Sequence, residues 1–327
     1  MLRLGIIGCG RVTSMFHLKA IEQIDKISVT ALSDINEERM SNLAESCGAA
    51  ETYIDYRKLL SDPDVDAVAV NTPPRFHEAI VLDALYAGKH VLCEKPLAES
   101  LEGCYKIKAA QQETGLTVMP AHNYAFTPSL IEMIGRVQGG AIGDITSIDV
   151  AFENLLKSYR SQTDFRETLG DGVLEDVLPH ILSVLYPLAG HIQGIGPVHW
   201  WCKDYDVCDN LDTELVSEKG VQINAAMSWT KLRPRFSVQV TGEHGDMYTD
   251  LMIGPYKLDI TVGGRTTTWK EKGISWYLDL VQFKHPSFKK QYQHFYQLVK
   301  EAASPMITVD DEINMLETMN KVSEKMG

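Results

Sequence analysis

Leu2-Arg3-Leu4-Gly5-Ile6-Ile7-Gly8-Cys9-Gly10-Arg11-Val12-Thr13 places an apolar run, a glycine-rich turn and the first residues of an amphipathic segment in direct succession. Strand, Gly-x-Gly, helix is the order in which such a turn can receive a pyrophosphate. The first glycine permits the tight turn and the second lets backbone approach the phosphates. The third position, usually Gly or Ala, is Thr13, which predicts slightly looser helix–strand packing. Glycines alone would fit an ordinary turn equally well, so the reading rests on what surrounds them.

Working outward, Val12–Ile24 reads as helix and Ile27–Ser33 as a second strand, ending at Asp34, 24 residues after Gly10. An acid there can accept the hydroxyls of an adenosine ribose; it can also cap the helix predicted over Asn36–Cys47, for which Asn36 is a rival cap and Gly48 a stop. The ribose reading favours NAD(H), because a carboxylate repels the extra phosphate of NADP(H). Arg39 reads as decoration of a helix surface. Ala67–Val70, His90–Cys93 and Leu116–Met119 are further buried strands, with helices over Phe76–Ala87 and Ser100–Thr114. Strands alternating with helices imply right-handed crossovers and a parallel, doubly wound sheet over residues 1–121. Beyond that point strand-like runs follow without intervening helices, among them Ile145–Phe152, Val221–Trp229, Phe236–Val240, Tyr256–Val262 and Thr266–Trp269. Residues 122–327 therefore read as an α+β domain on a large open, mostly antiparallel sheet. It includes a helical stretch Asp171–Leu188 and closes with helices Ser287–Ala302 and Asp310–Lys325. Whether those helices return to the first domain stays open.

The 327 residues suit about two domains and can bury a core without disulfides or structural metal. A net charge of −13 argues against a phosphate-backbone partner. The six cysteines are scattered, form no Cys-x-x-Cys and suggest no metal site, which fits a reducing cytoplasm. No apolar run is long enough to span a membrane, and the first strand leaves no room for a signal peptide.

Two groupings carry chemistry. Lys95, in Glu94-Lys95-Pro96, is delivered to the carboxyl edge of the sheet, where open α/β sheets bind ligands, and an amine there can exchange a proton with a reacting hydroxyl. A solvated surface lysine is the plain alternative. Asp176 and His180 are four residues apart, so on a helix they share a face; an imidazole can take an alcohol's proton as its hydride leaves. Without the lysine and the glycines, they would read as an ordinary helix-surface pair.

With Gly8-Cys9-Gly10-Arg11-Val12, Asn71-Thr72-Pro73-Pro74-x-x-His77, Ala87–Pro96 and Asn123-Tyr124-x-Phe126-x-Pro128 in this order, the chain resembles the Gfo/Idh/MocA oxidoreductases over nearly its whole length. The resemblance implies a Rossmann domain followed by a substrate-binding and oligomerising domain. It also implies a nicotinamide cofactor and a sugar, cyclitol or nucleotide-sugar substrate. Cofactor contacts would then come from Gly8, Cys9, Gly10, Arg11, Val12, Asp34, Thr72, Pro73, His77, Glu94, Lys95 and Asn123. Glu94 would lie near the nicotinamide ribose, and the Lys95–Pro96 bond would be cis. Lys95, Asp176 and His180 become the catalytic candidates, and a homodimer or homotetramer through the second sheet is implied. An NAD-dependent glycosidase without net redox change and a non-catalytic dinucleotide sensor are the rival functions.

Departures from the pattern are local. Leu178 stands where relatives usually carry glycine, Asp171 replaces a common glycine and Ala125 a common arginine. Pro179 predicts a helix that starts or kinks nearby, altering the Asp176–His180 geometry. Trp200, Trp201, Tyr205, Trp229, Trp269, Trp276 and Tyr277 could include a platform for a sugar face, or simply pack the sheet.

Overall fold

The computed structural model describes residues 1–159, 170–271 and 284–327. Trp276 and Tyr277 lie outside them. Two compact units emerge, one of Met1–Asn123 with Tyr277–Ile313, the other of Tyr124–Trp276 with Asn314–Gly327.

The first unit is built on six parallel strands, β1 (Leu2–Ile7), β2 (Ile27–Ser33), β3 (Glu51–Tyr53), β4 (Ala67–Val70), β5 (His90–Glu94) and β6 (Val118–Ala121). Their order is β3-β2-β1-β4-β5-β6, as the doubly wound expectation requires. Every residue of β4 is buried, as are Val91, Leu92 and Cys93 of β5. That is why these runs read as continuously apolar rather than alternating. The chain order reverses between β1 and β4, and the turns that leave both strands emerge there.

The helices begin and end where side chains dictate. In α2 (Glu37–Cys47), Asn36 Oδ1 accepts the Arg39 amide and Gly48 closes the helix in a left-handed conformation, so Asn36 rather than Asp34 is the cap. Ser100 and Gly115 do the same for the helix over Leu101–Thr114. One expectation changes: Val12–Ile24 is not a continuous α-helix but a π-helix, Thr13–His17, followed by a short α1 (Leu18–Ile21). Thr13 and His17 are both buried and both anchored by side-chain hydrogen bonds to the sheet edge. The wide turn satisfies the two anchors together. The Thr13 hydroxyl donates to Gly8 O (2.7 Å) and accepts from Asn71 Nδ2 (3.1 Å), which ties the start of the π-helix to the glycine turn.

The second unit carries eight strands, β7 (Ile145–Leu155), β8 (Ile192–Trp201), β9 (Asn210–Ser217), β10 (Gln222–Ser228), β11 (Thr230–Gly242), β12 (Gly245–Asp250), β13 (Lys257–Val262) and β14 (Arg265–Lys270). Their order is β14-β13-β12-β11-β7-β10-β9-β8, with β7–β10 parallel and the remaining described pairs antiparallel. Burial alternates along β9 and β10, the period of a sheet with one covered face. The cover includes the helices over Pro128–Gln138 and Val173–Ala189. Trp229 and Phe236 are fully buried, whereas Trp200 and Trp201 are exposed. Packing thus claims Trp229 and leaves the other two on the surface.

The helix Val173–Ala189 begins well before Pro179 and continues through it, so the expected start at that proline is not where the helix begins. An interior proline costs about 3 kcal/mol. Leu174, Val177, Leu178, Ile181, Leu182, Val184 and Leu185 are all buried on this helix, and each such side chain contributes about 1.5–3 kcal/mol. Packing overrides the local penalty.

Candidate functional site

At the switch between β1 and β4, Gly8 has φ +100°, and a Cβ there would stand 2.6 Å from Asn71 O. Its amide donates to Ser33 O and the Asn71 amide to Ile7 O, so the two turns are tied to neighbouring strand ends. Gly10 is different: an added Cβ would meet no atom within 4 Å. Its backbone faces open space, as approach of a pyrophosphate requires. Gly8→Ala is therefore expected to lower the unfolding free energy by about 1–3 kcal/mol through backbone strain. Gly10→Ala should leave stability near wild type and weaken dinucleotide binding. Urea unfolding and NADH titration of the two variants check the contrast.

Asp34 follows β2 and its carboxylate is largely covered. Oδ2 accepts the Cys9 amide at 2.7 Å and Oδ1 the Asn36 amide at 2.8 Å. Each oxygen keeps a second lone pair for a hydroxyl donor. Arg39 Nη1 stands 3.9 Å from Oδ2. Burial first, then the Asp34 charge, pushes the Cys9 thiol up to about 12, so Cys9 contributes its amide rather than a thiolate. Arg11 and Val12 are exposed on the same turn. After β4, Asn71 Oδ1 and Thr72 Oγ1 are buried and without a hydrogen-bond partner among the described residues. Orphaned polar atoms at this edge, in the turn packed against Gly8, fit a polar ligand.

Pro73 precedes a short 3₁₀ turn, Pro74–Phe76, that leads into the helix His77–Tyr86. His77 is buried, with Nδ1 2.7 Å from Pro96 O and Nε2 2.7 Å from Thr72 O. It ties the Thr72 turn to the Lys95–Pro96 turn. The latter contains a cis Lys95–Pro96 peptide. Glu94, at the end of β5, keeps part of its carboxylate exposed; Oε1 meets His17 Nε2 at 2.9 Å and Oε2 accepts the Lys95 amide at 3.3 Å. Burial alone would raise this carboxyl, but the hydrogen bond from His17, with electrostatic attraction to His17, Lys95 and His77, holds it below its ordinary value. Asn123 Nδ2 donates to Ser287 Oγ at 3.0 Å. The switch-point turns and Lys95 are thus gathered along one sheet edge in the first unit.

Asp176 and His180 belong to the second unit. Their helix starts at Gly172, whose φ of +56° and contact with Cys208 O admit no side chain. Asp176 is buried and His180 half-buried one turn later. The His180 ring stacks on Phe152 (5.7 Å, 9°) and meets Tyr124 edge-on at 5.4 Å. Tyr124 in turn contacts Phe236 at 5.0 Å. These aromatics limit the imidazole's rotation.

Some residues that shape the first unit's edge carry no motif. His17, Tyr292, His122, Glu312 and Ser287 are all buried behind it. Glu312 sits in an acidic run, Asp310-Asp311-Glu312, which in sequence reads only as favourable charge at a helix start.

Residues 2–122 match the family model described as oxidoreductase family, NAD-binding Rossmann fold, and residues 131–248 match the GFO/IDH/MocA C-terminal domain. An inositol 2-dehydrogenase/D-chiro-inositol 3-dehydrogenase of Shouchella clausii is 30% identical over 75% of this chain and 70% of its own. The chain belongs to the Gfo/Idh/MocA oxidoreductase family. Among solved structures of similar fold, a 3-ketoreductase from Actinomadura kijaniata in complex with TDP-benzene and NADP superposes with a TM-score of 0.81. It is 23% identical and matches 99% of this chain and 97% of its own. An oxidoreductase from Agrobacterium radiobacter in complex with NAD+, L-tartaric acid and magnesium gives a TM-score of 0.88 at 19% identity, over 99% and 96%. The chain spans less than half the length of four curated relatives that it matches at 29–35% identity.

Proposed function

We propose that this protein is an NAD(H)-dependent oxidoreductase acting on a secondary alcohol or the corresponding ketone of a sugar, cyclitol or nucleotide sugar. The observation that carries the reading is the edge of the parallel sheet. The Gly8–Gly10 turn, Asp34, the Thr72 turn and Glu94-Lys95 all leave its strands on the carboxyl side. When bound, the nicotinamide supplies the hydride acceptor or donor. The chain's own residues do the rest. The amides of the glycine turn receive the pyrophosphate, Asp34 the adenosine ribose, and Thr72 and Glu94 the nicotinamide end. Asn123 completes the edge, while His77 holds the two turns in register. Lys95 and His180 are the groups proposed to exchange the substrate's hydroxyl proton, with Asp176 binding a substrate hydroxyl or orienting the imidazole. The second unit is proposed to bind substrate and to pair with a second copy through the open face of its sheet, most simply as a twofold dimer.

Incubation with NAD+ or NADP+ and a panel of sugars, cyclitols and nucleotide sugars tests the reaction. Net formation of reduced nicotinamide with one of them is the expected result. Conversion of a glycoside without net reduction, or binding of dinucleotide with no turnover on any substrate class, overturns it. Cofactor choice is tested separately. Asp34→Ala is expected to raise KM for NAD+ about tenfold, the worth of one charged hydrogen bond, and to leave KM for NADP+ unchanged or lower. Equal effects on both, measured by initial rates, would remove Asp34 from ribose recognition.

A further inference from the structure

We propose that Tyr292 and His17 are positioning residues that lock the Glu94 carboxylate in one orientation for the nicotinamide end of the dinucleotide. The proposal rests on the reading of Glu94 as a cofactor contact. Three side chains that are distant in sequence form one hydrogen-bonded line: Tyr292 Oη to His17 Nδ1 at 2.8 Å, then His17 Nε2 to Glu94 Oε1 at 2.9 Å. His17 and Tyr292 are fully buried, whereas the Glu94 side chain is 20% exposed. The line therefore begins in the core and ends at the sheet edge, where ligands meet this fold.

Chemistry assigns a direction to the line. Burial, and then the negative charge of Glu94, raise the Tyr292 phenol well above its ordinary value. It stays protonated and donates. His17 Nδ1 accepts that hydrogen bond, which places the ring proton on Nε2, where it donates to Glu94. The imidazole has little freedom to do otherwise. Its ring meets Tyr292 edge-on at 5.7 Å and Phe288 at 5.3 Å, and Phe288 stacks on Phe16 at 5.2 Å. His17 also ends the π-helix Thr13–His17, a wide turn of a type that recurs at functional positions. Thr13, at its other end, is bonded to the carbonyl of Gly8. The same turn thus connects the glycine loop to Glu94.

The groups that act on Glu94 come from several elements: His17 from the π turn, His77 from its helix and Lys95 from the following residue, while Tyr292, from the helix Pro286–Lys300, reaches it only through His17. With the relay broken, burial is no longer offset to the same degree and the Glu94 carboxyl takes up a proton more readily. Loss of dinucleotide affinity on the acid side then begins at a higher pH than in the wild type.

NADH fluorescence titration of the full chain over a range of pH, with melting temperature in parallel, tests the relay through Tyr292→Phe, His17→Gln and Glu94→Gln. Tyr292→Phe keeps the buried ring and removes one hydroxyl. Its Kd for NADH is expected to rise about three- to tenfold, the worth of one hydrogen bond, with the acid limb moved to higher pH. His17→Gln retains a donor for Glu94 but cannot accept from Tyr292 in the same place, and should fall between wild type and Glu94→Gln. Adding Tyr292→Phe to Glu94→Gln should cost nothing further, since the relay acts through that carboxylate. Additive losses, or an unshifted acid limb in Tyr292→Phe, mean a merely structural role and overturn the relay while sparing the cofactor reading. Unchanged affinity in Glu94→Gln overturns both. If Tyr292→Phe does not fold, the pairing of His17→Gln with Glu94→Gln decides the same question.

Discussion

Lys95→Met is expected to lower kcat by about 10²–10⁴-fold, the usual worth of a positioned proton-transfer group, while NADH still binds. Methionine keeps a long unbranched stem and removes the ammonium, so the change isolates charge and proton transfer from bulk. The turn is held from several sides: by the Glu94 side chain on the Lys95 amide, by His77 on Pro96 O and by Glu312 on the Leu97 amide. The backbone should therefore outlast the loss of the amine. A second consequence follows from neighbouring charges. The Lys95 ammonium helps hold both Glu94 and Glu312 below their ordinary values, so both carboxyls should bind protons more readily in the variant. Stopped-flow or steady-state rates, with NADH titration beside them, check the prediction. Turnover within about threefold of wild type, well short of a general acid–base loss, would remove Lys95 from proton transfer.

Much of the first unit was legible because its rules are local. Continuous apolar runs, a glycine turn after the first and an acid after the second suffice for a parallel sheet with its switch at β1 and β4. The open antiparallel sheet of the second unit was legible from strand density, but its order was not. The parallel β7–β10 pair joins residues 145–155 to 222–228 across the chain, with β8 and β9 intervening, and no local pattern encodes such a pairing. Pro179 misled about the helix start for a related reason: the proline's penalty is local, whereas the packing that outweighs it is tertiary. The short elements Glu51–Tyr53 and Tyr56–Leu60 escaped notice because so few residues show no period. At the candidate site, the ligand-facing residues lie in contiguous motifs and could be read. Those behind them could not. His17 meets Tyr292 across 275 positions and His122 meets Glu312 across 190. A lone buried histidine has no signature until its partner is known.

The His122–Glu312 pair should show the largest stability effect. Both side chains are almost completely buried; His122 Nε2 donates to Glu312 Oε1, while Oε2 accepts the Leu97 amide at 3.2 Å. His122 Nδ1 has no hydrogen-bond partner among the described residues, so Glu312 is the imidazole's described anchor. Glu312→Ala leaves that ring and the Leu97 amide unsatisfied in the core. A loss of about 3–5 kcal/mol is expected, the cost of breaking a buried pair by removing one partner. Glu312→Gln keeps the size and one acceptor and should cost about 1–3 kcal/mol. The pH dependence has a definite sign. Burial would raise the Glu312 carboxyl, but the charge and hydrogen bond of His122, the Leu97 amide and the charge of Lys95 bring it below its ordinary 4.5. A carboxyl lowered by folding stabilises above its unfolded value and loses that contribution as pH falls through the folded one. The Glu312 contribution to the stability gap between wild type and Glu312→Gln should therefore shrink as pH falls below about 4.5, the ordinary glutamate range. Urea unfolding at a series of pH values measures it directly. A gap that persists unchanged into acid, or a Glu312→Ala variant as stable as wild type, would show that the pair is not a buried ionic anchor. In that case the turn carrying Lys95 is held by Glu94 and His77 without it.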